Sequence, residues 1–289
     1  MNMFRILAIS SVILTGNLMA QVPAIPENDW SIPPIRIKDF DGVSEHDFNF
    51  VVKTLTKLYA PKIKEKGNVD LVINADWKDA TVNAYAGREA GVWSINLAGG
   101  IARAKGMTRD SLALIVCHEL GHHLGGAPRT FLFEGWPSAE GQADYWASSK
   151  CLKNYFNELK NEEVILDEQI PEKVVKSCTG VYKKLPDIKI CIRTMMASLD
   201  FANFLNFLPD SKYPVSLNET DSRQVKGTNT NDYPRPQCRF DTLIQGALCD
   251  IAYDVATSET DVKIGHCNDM SKPGARPRCW FKPKDQDQL

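Results

Sequence analysis

The sequence predicts an α+β fold: a small N-terminal sheet packed on one buried helix, followed by a mainly helical C-terminal half. Three observations carry this. Short apolar or alternating runs cluster between residues 68 and 97, as strands do: Val69-Asp70-Leu71-Val72-Ile73, then Val82-Asn83-Ala84-Tyr85-Ala86-Gly87, then Gly91-Val92-Trp93-Ser94-Ile95-Asn96-Leu97. The stretch from Leu112 to Leu124 is apolar on nearly every side, which places a helix in the interior. Farther on, Pro171 to Tyr182, Ile188 to Leu208 and Pro236 to about Ala256 have helical spacing of their apolar residues.

The elements follow in order. Residues 21–40 contain Pro23, Pro26, Pro33 and Pro34 and should run extended over the surface. Ser44 can cap a helix whose buried face is Phe48, Val51, Val52, Leu55 and Leu58; Pro61 should end it, and Lys62 to Lys66 should be solvated. Gly99-Gly100 turns the chain after the third strand. Thr108 starts the buried helix, Gly125-Gly126 stops it and Pro128 prevents its return. The loop 127–137 carries Phe131, Phe133 and Trp136, which would either line a cleft or plug the core. Ser138 is placed to cap a helix over 139–151, and residues 154–170 read as a polar excursion. Met195, Met196, Leu199, Phe201, Phe204, Leu205 and Leu208 have core spacing. Residues 209–236 are loop-like.

Composition narrows the possibilities. A net charge of −2 gives no case for nucleic acid or an anionic membrane surface. Arg5, the apolar run Ile6 to Leu14 and Leu18-Met19-Ala20 read as a secretory signal over residues 1–20. That run is too short to span a bilayer, and no later stretch reaches 18 apolar residues. Residues 21–289 are therefore expected to form a single exported domain, periplasmic or extracellular, monomeric and without a membrane span. An even count of eight cysteines in such a chain suggests up to four disulfides, which can be arranged in 105 ways. Cys117, inside the buried helix, is the one expected to stay free. The tail 257–289, with Cys267 and Cys279, reads as a disulfide-tied clasp. The sequence does not say whether the Pro-rich start or this tail blocks a cleft, as in a zymogen.

The chemistry concentrates in His118-Glu119-Leu120-Gly121-His122. Residues four apart share a helical face, so the two imidazoles can take two corners of a tetrahedral zinc site. Glu119, one step round, stands where it can take a proton from water at the open corner. His123 falls about 100° from His122 and is a neighbour, not a ligand. Glu140 and Asp144 are also four apart: Glu140 would be the third ligand, and Asp144 would accept the second N–H of an imidazole, most simply that of His118. His266 reads as a surface histidine.

The order Asn83-Ala84-Tyr85-Ala86, then His118-Glu119-Leu120-Gly121-His122, then Glu140-Gly141-Gln142-Ala143-Asp144 resembles the gluzincin metallopeptidases of the CAAX prenyl protease and HtpX type. The resemblance covers residues 69–145 well and 233–249 loosely. Where that family has a His-Pro pair followed by Arg, this chain has Tyr233-Pro234 and Arg239, so the family's His is replaced. The family's membrane helices are missing, and prenylated substrates are not implied. The resemblance implies a zincin-like fold and a zinc endopeptidase. One Zn2+ would be held by His118, His122 and Glu140, with Glu119 as general base. Tyr233 or Arg239 would donate to the oxyanion, and Asn83, Ala84, Tyr85 and Ala86 would form the strand edge that pairs with a protein or peptide substrate. Two other readings stay open from residues alone: a non-catalytic zinc-stabilised binding module, and a zinc amidase acting on cell-wall amides.

Overall fold

The structure, a computed structural model, describes residues 21–34, 42–89, 91–159, 170–207 and 214–283. The expected signal segment lies outside them. The described chain is a mixed α+β protein with one four-stranded sheet, ordered β1-β3-β4-β2. Its strands are β1 (Gln21–Pro23), β2 (Asp70–Asp76), β3 (Ala84–Glu89) and β4 (Val92–Ala98). β2 runs parallel to β4, while β3 is antiparallel to both β4 and β1.

Helix α1 (Glu45–Gly67) begins where expected: the Ser44 side chain accepts from the Asp47 N–H, with Glu45 and Asp47 favourable at the positive end of the helix. It does not stop at Pro61. It continues to Gly67, with Tyr59 and Ile63 on either side of the proline buried in the same core as Phe48 and Leu55. Burial of that face outweighs the one helical hydrogen bond that a proline removes. Asn68 closes the helix in the left-handed conformation (φ 50°), its N–H bonded to the Lys64 carbonyl.

The short α2 (Gly99–Ala102) leads to α3 (Arg109–Leu124), the buried helix. Thr108 and Ser111 cap it reciprocally, and all of Ser111 to Leu124 is buried. The core lies where α1, the sheet, α3 and α7 (Leu185–Phe207) meet, with Leu55, Ile95, Leu112, Val116 and Phe204 all 1 % exposed or less. α4 (Glu140–Trp146) runs through a π-helical turn at Ala147–Cys151 into α5 (Leu152–Glu158). Helical structure therefore extends into the region expected to be a polar excursion; residues 160–169 lie outside the described part. Ser138 does not cap α4. The residue before the helix is Ala139, and the Ser138 hydroxyl instead donates to the Gly126 carbonyl at 2.8 Å. α6 (Glu172–Val181), α7 and α8 (Pro236–Leu248) complete the C-terminal half; α8 ends at Leu248, earlier than its spacing suggests.

All eight cysteines are paired: Cys117–Cys151, Cys178–Cys191, Cys238–Cys279 and Cys249–Cys267. The expectation of a free Cys117 is thus corrected. Cys117 lies about 100° round α3 from His118, and this direction faces the π turn that carries Cys151. The C-terminal tail is a clasp, held by the last two bridges to Cys238 in α8 and to Cys249 just past its end. It braces the back of α4: the Tyr145 hydroxyl donates to the Gly274 carbonyl at 2.6 Å, and Arg276 donates to the Gln142 side chain at 3.0 Å. His266 belongs to this brace and is 1 % exposed, not a surface residue; its Nε2 pairs with Gln142 Nε2 at 3.1 Å.

Candidate metal centre

The site is assembled where α3 crosses α4. Gly121 makes the crossing possible, because a Cβ there would come within 2.8 Å of the Ala143 carbonyl oxygen and 2.9 Å of its Cα. Only a residue without a side chain lets the two backbones approach so closely, and that approach brings Glu140 to the histidines. His118 Nε2 and His122 Nε2 are 3.1 Å apart. Glu140 Oε2 lies 3.3 Å from the first nitrogen and Oε1 lies 3.6 Å from the second. A tetrahedral ion with bonds of about 2.1 Å needs donors about 3.4 Å apart. The three side chains therefore have the spacing of donors round one tetrahedral metal ion, and buried Glu140 Oε2 has no hydrogen-bond partner of its own.

The second nitrogens are fixed too. His118 Nδ1 lies 2.8 Å from Asp144 Oδ1, and His122 Nδ1 lies 2.9 Å from the Ser138 carbonyl. An acceptor at each Nδ1 holds a proton there and turns both Nε2 atoms toward each other and toward Glu140; the His118 Nε2 can ligate an ion once it gives up its own proton. Asp144 in turn takes both arms of Arg239, from Nε and Nη2 at 2.8 Å each. Burial alone would raise the Asp144 carboxyl, but the Arg239 and His118 charges hold it well below the usual carboxylate range. In the same metal-free protein, burial alone would lower the His118 imidazole. The carboxylates of Asp144 and Glu140 outweigh burial and push it up to about 10.

Glu119 is fully buried, and neither of its oxygens has a hydrogen-bond partner. Desolvation raises its carboxyl to about 8, with Glu140 adding to the effect and His118 and Arg239 opposing it. His118, Glu119 and His122 offer ligand atoms within 4.8 Å of one another. A second such grouping, Asp221 with Cys238 and Cys279, is of a different kind, since its two sulfurs are joined in a disulfide.

His123 stays outside the ligand set, as expected. It is stacked between Trp93 and Trp136, and its Nε2 lies 3.1 Å from the Ser94 carbonyl. Of the loop aromatics, Trp136 therefore plugs a seam, while Phe131 is 83 % exposed. Tyr233 and Arg239 do reach the neighbourhood. The Tyr233 hydroxyl donates to the Pro23 carbonyl, and burial raises its phenol above the ordinary value. Arg239 Nη1 donates to the Ala24 carbonyl at 2.8 Å. Both candidate donors are thus engaged: Arg239 by Asp144 and the Ala24 carbonyl, and Tyr233, through its single O–H, by the Pro23 carbonyl.

The strand edge differs from expectation. β3 starts at Ala84, and its outer edge is not free: Gln21, Val22 and Pro23 pair with Gly87, Ala86 and Tyr85. Asn83 precedes the strand, is 1 % exposed and clamps Ile25, accepting from its N–H at 3.3 Å and donating to its carbonyl at 3.1 Å. Within the Pro-rich start nothing in the sequence singles out Val22–Ile25, and Gly121 has no part in the expected site. The glycine inside an otherwise apolar helix could have pointed to a close crossing; three residues around a proline gave no signal.

Fold and site together define a mixed α+β protein with a buried His-Glu-x-x-His grouping able to hold a metal ion. The chain matches no protein-family model, no curated protein and no solved structure. The functional reading therefore rests on the residues and their geometry.

Proposed function

We propose that this protein is an exported, gluzincin-type zinc endopeptidase. The observation that carries the proposal is the conjunction at one point of three zinc-spaced donors, from His118, His122 and Glu140, with an unpartnered buried carboxylate at Glu119. A purely structural site has no use for that carboxylate, whose burial without a partner is costly. Zinc held there would act as a Lewis acid on the scissile carbonyl and lower the pKa of water toward about 7. Glu119 takes the proton of the attacking water and passes it to the leaving amine. Tyr233 donates to the carbonyl oxygen as negative charge develops on it. Asp144, anchored by Arg239, keeps the His118 ring turned so that Nε2 is on the Glu140 side, where it would ligate the ion. The four disulfides suit an oxidising compartment, in keeping with export.

The test is Glu119→Gln on purified protein, with zinc content and casein cleavage measured together. Retained zinc with lost cleavage supports the peptidase. Zinc bound without cleavage, both by the unaltered chain and by a variant in which Gln21–Pro23 no longer pairs with β3, would favour a binding module.

A further inference from the structure

The segment Gln21–Ile25 lies on the candidate site and uses the groups that a peptide substrate would need. Five contacts define its path. Gln21, Val22 and Pro23 pair antiparallel with the edge of β3. The Pro23 carbonyl accepts the Tyr233 hydroxyl. The Ala24 N–H donates to the Ala84 carbonyl at 2.8 Å, and the Ala24 carbonyl accepts from Arg239 at 2.8 Å. Ile25 is held at both its N–H and its carbonyl by the Asn83 side chain. Both β1 and β3 pack against α3, the helix that carries Glu119. The segment therefore runs beside that helix and brings successive carbonyls to Tyr233 and Arg239.

We propose that Gln21–Ile25 is an internal occupant of the peptide-binding lane, lying there as a substrate strand would and keeping other peptides out until it is displaced. β-Strand addition is a common way for a sheet edge to take an extended peptide, with main-chain bonds giving affinity and alternate side chains giving selectivity. Here the side chains of Val22 and Ala24 are buried, at 4 % and 1 % exposure. Only small or branched apolar residues fit at these points, and the lane's external ligand is an extended peptide with the same pattern. A strand of three residues is short; beside its main-chain pairing with β3 and the burial of Ala24 and Ile25 in the core, it is held by the side chains of Tyr233, Arg239 and Asn83. Because it is tethered, it competes at an effective concentration on the order of millimolar. The activity consequence rests on the peptidase reading; the binding consequence does not.

The experiment uses the full chain with Val22→Asp and Ala24→Asp together, which places charge at two buried positions and expels the strand. Binding is read in a Glu119→Gln background as fluorescence anisotropy of a labelled Gln-Val-Pro-Ala-Ile peptide. The expected result is binding to the strand-expelled chain, with affinity for the otherwise unaltered chain at least about tenfold weaker. With Glu119 intact, hydrolysis of a quenched peptide should rise by at least about the same factor. Equal peptide binding to both chains, or binding to neither, overturns the proposal. Selective binding without cleavage by any form leaves the occupant in place and removes the peptidase. Cleavage at equal rates does the opposite. Should the double variant fail to fold, amide exchange on the unaltered chain decides: millimolar pentapeptide should speed exchange at Ala24 and Ile25, and unchanged exchange would overturn the idea.

Discussion

Replacing Asp144 by Asn removes one charge from a buried chain of three groups: His118, Asp144 and Arg239. Asp144 and Arg239 are 1 % and 3 % exposed, so water cannot compensate for the loss. Removing one partner of a buried pair costs about 3–5 kcal/mol, because the remaining charge stays buried without its counterpart. In a domain of this size that corresponds to a fall in Tm of roughly 10 °C in the metal-free protein. Zinc affinity should fall about 10- to 100-fold as well, because the His118 ring loses the acceptor that sets its orientation. Arg239→Met should also destabilise. The double variant Asp144→Asn/Arg239→Met should be less unstable than the two single losses added together, since no uncompensated charge is left. Thermal unfolding in chelator and competition with a chromogenic zinc indicator measure the two effects. Strict additivity in the cycle, or zinc affinity within about twofold of the unaltered chain, would refute the reasoning.

Further outcomes follow from the same geometry. Gly121→Ala drives a methyl group into the Ala143 backbone, and it should weaken zinc binding by moving α4 away from α3; isothermal titration reads this, and unchanged affinity would count against the crossing as the cause of the fit. Removing the Cys117–Cys151 bridge as a double alanine should cost about 3–4 kcal/mol, given its loop of 34 residues, and should show in denaturant unfolding. In the metal-free protein His118 sits above its ordinary value, at about 10. Its contribution to stability is therefore fully present below about pH 6.5 and is lost as pH rises toward 10. Zinc uptake between pH 7 and 8 should accordingly release at least about one proton, from His118 with a share from Glu119, measurable as a buffer-dependent heat, and absence of that dependence would contradict the pairing with Asp144 and Glu140.

The parts of the site that could be read from the sequence are those whose geometry is local. His118 and His122, and Glu140 and Asp144, are each one helical turn apart, so their shared faces follow from the helix repeat alone. Strands β2 and β4 were visible through alternation, and the limits of α3 through Thr108 and Gly125. What escaped depends on contacts distant in sequence. The β1 strand exists only because β3, Tyr233 and Arg239 hold it, and nothing in Gln21-Val22-Pro23 announces a strand. Pro61 stays helical because buried neighbours on both sides hold the turn. Cys117 found a partner in a π turn that local propensity does not reveal. His266 is buried because the tail folds against α4, a placement set by two disulfides whose pairing spacing alone could not choose.

The central claim is that His118, His122 and Glu140 close on one ion and leave a corner for water. Anomalous diffraction at the zinc edge from a zinc-loaded Glu119→Gln crystal measures this directly. The expected map has a single strong peak within about 2.0–2.2 Å of both Nε2 atoms and a Glu140 oxygen. A peak elsewhere, or a fourth protein ligand at this one, would contradict the account.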